Sequence, residues 1–88
     1  MKIAHDFFFE QDNFSIFDID LNYRLNKGDF INQDFFLSLE CTVENKLSQE
    51  KLTILIKEKN IVYFEVKNIF IGCDYIIGCD LIAVYKNN

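Results

Sequence analysis

The chain has no proline and no tryptophan, and its 88 residues include only one histidine, one methionine, three glycines and three cysteines. Three cysteines are an odd number, and too few for a small secreted fold held together by disulfides. The single histidine, His5, has no partner at the spacing of a nucleophile–base pair, and we predict that it lies on the surface. Glycine-rich phosphate loops, Cys-x2-Cys pairs and His-Glu-x2-His motifs are also missing from the sequence. We therefore expect no enzyme, no metal and no cofactor.

Long apolar runs are missing as well. No run reaches the length of about 18 residues that a membrane-spanning helix needs, and no segment has the pattern of a signal peptide. We therefore expect a cytoplasmic protein with reduced thiols and no membrane partner. The scarcity of Ala, Gly, Pro and Arg beside abundant Ile, Lys, Asn and Phe indicates an AT-rich genome, such as that of a low-GC bacterium or its phage.

The segment 17–25 alternates apolar and polar residues without a break, which is typical of a strand with one buried and one solvated face. The side chains predicted to point inward are Phe17, Ile19, Leu21, Tyr23 and Leu25. A turn signal follows at 26–29, and residues 35–43 alternate again. In this second strand the predicted inward side chains are Phe35, Leu37, Leu39, Cys41 and Val43.

The rest of the chain also favours strands over helices. Residues 45–49 read as a loop, and 52–57 and 61–67 as two strands of a hairpin around 58–60. The apolar segment 69–85 predicts two strands, or a strand and a short helix, and Phe7–Phe9 an edge strand or a plug over the core.

The expected fold is a single mainly β domain over residues 1–88, with α+β as the alternative. Short links between neighbouring strands predict one antiparallel, curled meander sheet of about five to six strands, with at most one short C-terminal helix. Because an amphipathic sheet has to bury its apolar face, a homodimer is one possible arrangement.

The tetrapeptide Ile-Gly-Cys-Asp occurs at 71–74 and again at 77–80. A metal site is not expected here, because zinc needs three or four converging ligands and Cys-x5-Cys is not a usual zinc spacing. A period of six also resembles the hexapeptide repeat of left-handed β-helix proteins, but two copies are too few to stack. We interpret Gly72 and Gly78 as bulges or bends, and Cys73-Asp74 as a turn between two strands. A helix that starts near Asp74 is the alternative.

Negative charge is concentrated in the first half of the chain. Residues 1–44 contain nine acidic and three basic residues, a net charge of −6, whereas residues 45–88 contain five acidic and six basic residues, a net charge of +1. A net charge of −5 argues against direct binding of nucleic acid, because phosphate would be repelled. On the predicted strands, Asp18, Asp20, Glu40 and Glu44 share the solvent face of one sheet.

These charges suggest an acidic docking face for a basic partner. The residues predicted to bind the partner are Asp18, Asp20, Asp29, Asp34 and Glu40, with Tyr23 as an anchor if it is exposed. The expected partner is a basic protein such as a nuclease or another nucleic-acid-binding enzyme, whose cleft the chain would cover. The chain would then be an inhibitor of the immunity-protein, antitoxin or phage anti-defence type.

The alternative function is that of an oligomeric scaffold or chaperone-like module. Such a module would bind through apolar surface, including Phe7–Phe9. The salt dependence of binding distinguishes the two functions, because binding through charge weakens at high ionic strength and apolar binding does not. Acidic charge of this size is also ordinary for a small soluble domain, without any role in binding.

Overall fold

The computed structural model describes residues 2–40 and 42–86, which form five strands and two helices. The strands are β1 (Ile3–Phe9), β2 (Phe14–Leu21), β3 (Phe30–Asn32), β4 (Ile61–Ile71) and β5 (Ile77–Tyr85). The helices are α1 (Gln33–Leu37) and α2 (Val43–Lys59), and a short 3-10 turn, Cys73–Tyr75, connects β4 to β5. Within this part of the chain, no helix has the length and apolar character needed to cross a lipid bilayer.

The five strands form one curled sheet in the order β2-β1-β5-β4-β3. The domain is mainly β, as predicted. The sheet is mixed rather than antiparallel, because β1 and β5 run parallel while all other neighbours are antiparallel. It is not a meander, because the last strand inserts between β1 and β4. Alternation in a sequence indicates which residues face inward, but it carries no information on which distant strands become neighbours.

The helices cover only one face of the sheet, which we call the covered face. Its buried side chains include Phe7, Phe9, Ile16, Ile19, Phe64, Val66, Ile77, Cys79 and Leu81. We call the opposite side the open face. Its paired positions are Ala4, Asp6, Phe8, Ser15, Asp20, Phe30, Asn32, Tyr63, Glu65, Asn68, Phe70, Gly78, Asp80, Ile82 and Val84. All of these except Gly78 are half-buried or exposed, so one side of the sheet has no covering layer in the described chain.

Aromatic rings fill the centre of the core. Phe36 of α1 packs edge-on against Phe7, Phe9 and Phe64, with ring centroids 5.2 to 5.4 Å apart. The strand predicted over 35–43 is therefore wrong. Asn32 caps α1 by accepting the Asp34 N–H, and this local turn starts a short helix where the sequence alternation suggested a strand. Cys41, which the prediction placed in the core, lies outside the described residues.

Helix α2 replaces the loop predicted at 45–49 and the strand predicted at 52–57. Its buried side chains are Asn45, Leu52 and Ile56, which are spaced as one face of a helix, whereas Ile54 is exposed. Apolar residues at 52, 54 and 56 suggested a strand. The helical spacing was harder to see because Asn45, the first residue of the buried stripe, is polar. The helix also has acid in its first turn, bases in its last turn and a left-handed Asn60 at its C-cap.

Strand β2 covers 14–21 rather than 17–25, and it contains a bulge. The register shifts between His5 and Phe7, and Asp18 at the bulge has a φ of 58°. The extra residue reverses the alternation, so Ile16 and Ile19 are both buried while Phe17 faces outward. The inward predictions for Ile19, Leu21 and Leu25 are confirmed, and those for Phe17 and Tyr23 are wrong.

His5 is fully buried, which corrects the prediction that it lies on the surface. The Leu25 N–H donates to His5 Nε2 at 3.2 Å, so this nitrogen has to be the acceptor of the neutral ring. His5 Nδ1 then carries the hydrogen and donates to the Ile3 carbonyl at 2.9 Å. His5 therefore ties the connection 22–29 to the covered face.

The repeated tetrapeptide has two different conformations. Its first copy lies in the turn between β4 and β5, where the Gly72 N–H donates to the Ile76 carbonyl at 2.7 Å. This confirms the turn between two strands and the strand predicted at 61–67. The second copy lies within β5, and Gly78 there is in regular register with Phe70 rather than at a bend.

Candidate protein-binding face

Three phenylalanines form an aromatic patch on the open face. The Phe8 ring lies 5.8 Å from the Phe17 ring and 5.5 Å from the Phe70 ring, measured between centroids. Phe17 and Phe70 are each about two-fifths exposed. Phe30 and Tyr63 form a second aromatic pair towards the β3 edge, with centroids 4.8 Å apart. Clustered, partly exposed aromatic side chains are typical of protein-binding surfaces.

Two polar side chains hold the bulge that presents Phe17. Asp6 Oδ1 accepts the Asp18 N–H at 2.9 Å. From the other side, Asn45 of α2 accepts the Phe17 N–H at 2.9 Å and donates its amide to the Phe17 carbonyl at 2.6 Å. The Asn45 side chain thus takes the place of a neighbouring strand along this edge of the sheet. The outward position of Phe17 is therefore fixed from both sides.

Acidic side chains predominate on the open face. Its paired positions include Asp6, Asp20, Glu65 and Asp80, and none of these positions in the described residues is basic. Asp18 is exposed at the bulge beside Asp6. Lys67 is exposed at the register shift of β4 between Val66 and Asn68, outside these paired positions. The sheet therefore presents aromatic rings with more carboxylates than bases beside them, a combination suited to a surface that offers both apolar and basic groups.

The pKa of Cys79, on the other side of the sheet, is raised mainly by burial. Burial raises the pKa of the Cys79 thiol from 9.0 to about 12, and the nearby carboxylates of Asp80 and Asp6 contribute to the same rise. Cys79 is on the covered face, so its thiol stays protonated and unreactive at neutral pH. Cys73, in contrast, is free and exposed in the turn before β5.

A groove of about 400 Å³ opens at one end of the aromatic patch, beside the turn between β1 and β2. Its walls are aromatic, and two carboxylates line it. The residues that line it include Phe8, Phe14, Phe70, Glu10, Ser15 and Asp80. Asp80 and Phe8 are register partners on β5 and β1, which places the carboxylate beside the aromatic wall.

The structure separates the five acidic residues predicted to bind a partner. Asp18 and Asp20 lie together on β2, whereas Asp29 and Asp34 flank β3 at the opposite edge of the sheet. Asp29 Oδ2 accepts the Asn26 N–H at 2.8 Å within a turn. Glu40 lies in the connection between α1 and α2, and Glu44 is in α2, so neither is on the sheet face where the sequence placed it.

The remaining acids of the open face were missed at the sequence level. A signal for Asp80 is present, because Ile77, Cys79, Leu81 and Ala83 are all apolar and the residues between them should face away from the core. The two glycines of this segment suggested bends instead and hid that alternation. Glu65 also alternates with buried Phe64 and Val66, but nothing in the sequence places it on the same face as Asp6 or Asp80.

Comparison of the chain with protein-family models, curated proteins and solved structures gives no match. The geometry of the open face is therefore the basis for a functional conclusion.

Proposed function

We propose that the protein is a small acidic binding protein that inhibits a basic partner by covering it with the open face. The partner we propose is a nuclease or another enzyme with a nucleic-acid-binding cleft, and the setting is that of an immunity protein, antitoxin or phage anti-defence protein in the cytoplasm. The observation that supports this most strongly is the aromatic patch on an uncovered sheet face, with the carboxylates of Asp6, Asp18 and Asp80 beside it.

The charges of the open face argue against a second copy of the chain as its occupant. In a symmetric pair the same patch of both copies meets itself, so the carboxylates of one copy would face those of the other. Like charges brought together in a closing interface oppose association. A surface with basic side chains meets the same face with complementary charge.

The five acids selected from the sequence keep different places in this proposal. Asp18 and Asp20 are near the aromatic patch and are proposed as direct contacts. Asp29, Asp34 and Glu40 lie outside the open face, and their part in binding stays a prediction. Tyr23 is exposed in the connection after β2, as an anchor would have to be.

Affinity capture from a lysate of the source organism tests the proposal when it compares three forms of the chain. The first is the wild type. The second carries Asp20→Lys and Glu65→Lys on the open face, and the third carries Glu50→Lys and Glu58→Lys on α2 as a control with the same change of charge. We expect the wild type and the control to retain one basic protein at low salt and to release it at high salt.

The open-face variant should retain only a small fraction of that protein, at least about tenfold less than the wild type. Circular dichroism of all three forms shows whether each is folded. Equal capture by all three forms, or loss in the control variant alone, would contradict the proposed binding face. A captured protein should also lose its enzymatic activity when the wild type is added, and retention of activity would reject inhibition.

A second function is favoured by a separate feature of α2. Val43, Leu47 and Ile54 are exposed and lie within one narrow stripe of the helix. A scaffold or chaperone-like module would use this stripe for apolar contacts or self-association. The test is the oligomeric state of the wild type and of Leu47→Glu in ultracentrifugation. An oligomer that persists at high salt and dissociates in the Leu47→Glu variant would support this function over the first.

A further inference from the structure

The groove beside the β1–β2 turn combines aromatic walls with negative charge. The carboxylates that line it come from Asp80 on β5 and Glu10 in the turn. None of the residues that line it in the described part of the chain is basic. A small apolar ligand would gain nothing from the carboxylates, and an anion would be repelled by them. The ligand that uses both features is therefore a cation with an apolar or planar surface.

We infer that this groove receives an arginine side chain of the basic partner. A guanidinium group is planar, so it stacks on an aromatic face while its N–H groups pair with a carboxylate. Phe8 and Asp80 offer such a pair, because they are register partners on neighbouring strands and share the open face. Phe70 closes the site from the β4 side, with its ring 5.5 Å from that of Phe8.

The position of Phe70 depends on the glycine beneath it. A Cβ built on Gly78 would overlap the Phe70 ring, so only glycine leaves room for the ring at this position over β5. Phe70 and Phe8 are tilted by 34° relative to each other rather than stacked. Two rings at this angle and a carboxylate beside them form an open corner rather than a filled core. Gly78, the glycine in the second copy of the tetrapeptide, thus helps to shape the groove.

The inference rests on the proposed function, since the arginine belongs to the partner that the open face would bind. It goes further by naming the side chain and the place where it binds. A lysine is the weaker alternative, because its compact ammonium group cannot stack and pair at once.

The direct probe is the peptide acetyl-Gly-Arg-Gly-amide, titrated into the full chain labelled with ¹⁵N and followed by NMR. Matched peptides carry citrulline, which has the shape of arginine without its charge, or lysine. We expect saturable shifts at Phe8, Ser15 and Asp80 with the arginine peptide. Citrulline should bind at least about tenfold more weakly, and lysine severalfold more weakly. Equal binding of arginine and citrulline, or shifts spread over all acidic residues, would overturn the inference.

Two single-charge variants complete the test. Asp80→Asn should weaken binding of the arginine peptide about fivefold or more, whereas Glu58→Gln on α2 should leave it unchanged. In the capture experiment, retention by Asp80→Asn together with loss by the Asp20→Lys, Glu65→Lys form would reject the groove but keep the open face. Retention by both forms would reject the proposed function itself.

Discussion

Among the single residues, Gly78 and Phe70 show how one missing side chain shapes a surface. Gly78 is buried under the Phe70 ring although both lie on the open face. The sequence indicated that Gly78 matters, but it suggested a bend, because a glycine in a strand marks either a bend or a close approach. Which of the two applies depends on a partner in a neighbouring strand, which the local sequence does not reveal.

Gly78→Ala should displace the Phe70 ring and lower the free energy of unfolding by about 1 kcal/mol, at the low end for overpacking because the ring can swing towards solvent. In a Phe70→Ala background the same substitution should cost nothing further, since the clashing ring is gone. Chemical denaturation of the four forms measures this coupling. Independent, additive losses would show that the two residues do not share the site.

The two described cysteines should react very differently with a thiol reagent. In a Cys41→Ser background, iodoacetamide should modify Cys73 readily and Cys79 only after unfolding, because burial raises the pKa of the Cys79 thiol to about 12. Mass spectrometry of the alkylated protein identifies the modified residue. Comparable labelling of both thiols in the folded protein would contradict the buried position of Cys79.

The same pKa shift makes the contribution of Cys79 to stability depend on pH. A thiol whose pKa is raised by folding stays protonated in the folded chain while it ionises in the unfolded one above pH 9.0. The stability advantage of the wild type over Cys79→Ala should therefore be nearly constant below about pH 9 and shrink by up to about 1.4 kcal/mol per pH unit above it. A difference that does not change up to about pH 11 would contradict the shift.

Among the secondary-structure elements, α2 both completes the core and protects an edge. Its Asn45 forms two hydrogen bonds with the backbone of Phe17 and is almost fully buried. An unpaired edge strand tends to pair with other chains, and a side chain that occupies its hydrogen-bonding groups prevents this. The packing of α2 and the conformation of the bulge therefore both depend on the Asn45 side chain, which bonds to a residue 28 positions away in the sequence.

Asn45→Ala should lower the free energy of unfolding by roughly 1–3 kcal/mol, since it leaves the partly buried N–H and carbonyl of Phe17 without their partner. Asn22→Ala, at an exposed position after β2, is the matched control and should change stability by less than about 0.5 kcal/mol. Thermal unfolding of both variants gives the comparison. Equal stability of the Asn45 variant and the wild type would rule out this role.

The same element explains why the sequence predicted so little of the helical layer. A helix is predicted when apolar residues recur at its period, but the buried stripe of α2 starts with Asn45 and its exposed side carries Val43, Leu47 and Ile54. β-branched residues at 53, 54 and 56 then favoured a strand. The strand at 61–67 was predictable because Phe64 and Val66 follow the simple alternation of a half-buried sheet.

For the molecule as a whole, the sequence predicted a mainly β domain with an acidic first half, and it failed on how the strands assemble. The parallel pairing of β1 with β5 joins the two ends of the chain, so the open face collects acids from both halves. Asp6 and Asp80 became neighbours of the patch in this way. A charge count along the chain could suggest that the protein has an acidic surface for binding a partner, but it could not identify the residues of that surface.

The proposed function depends above all on the open face, rather than the helical layer, being the surface that contacts a basic partner. The most direct measurement is photo-crosslinking in the source organism with a benzophenone amino acid placed at Phe17, Phe30 or Leu47. Phe30 and Leu47 are similarly exposed, at 61% and 64%, but lie on opposite layers. We predict one basic protein crosslinked from both Phe17 and Phe30 and none from Leu47. Crosslinks from Leu47 alone, or crosslinks only to another copy of the chain, would contradict this role of the open face.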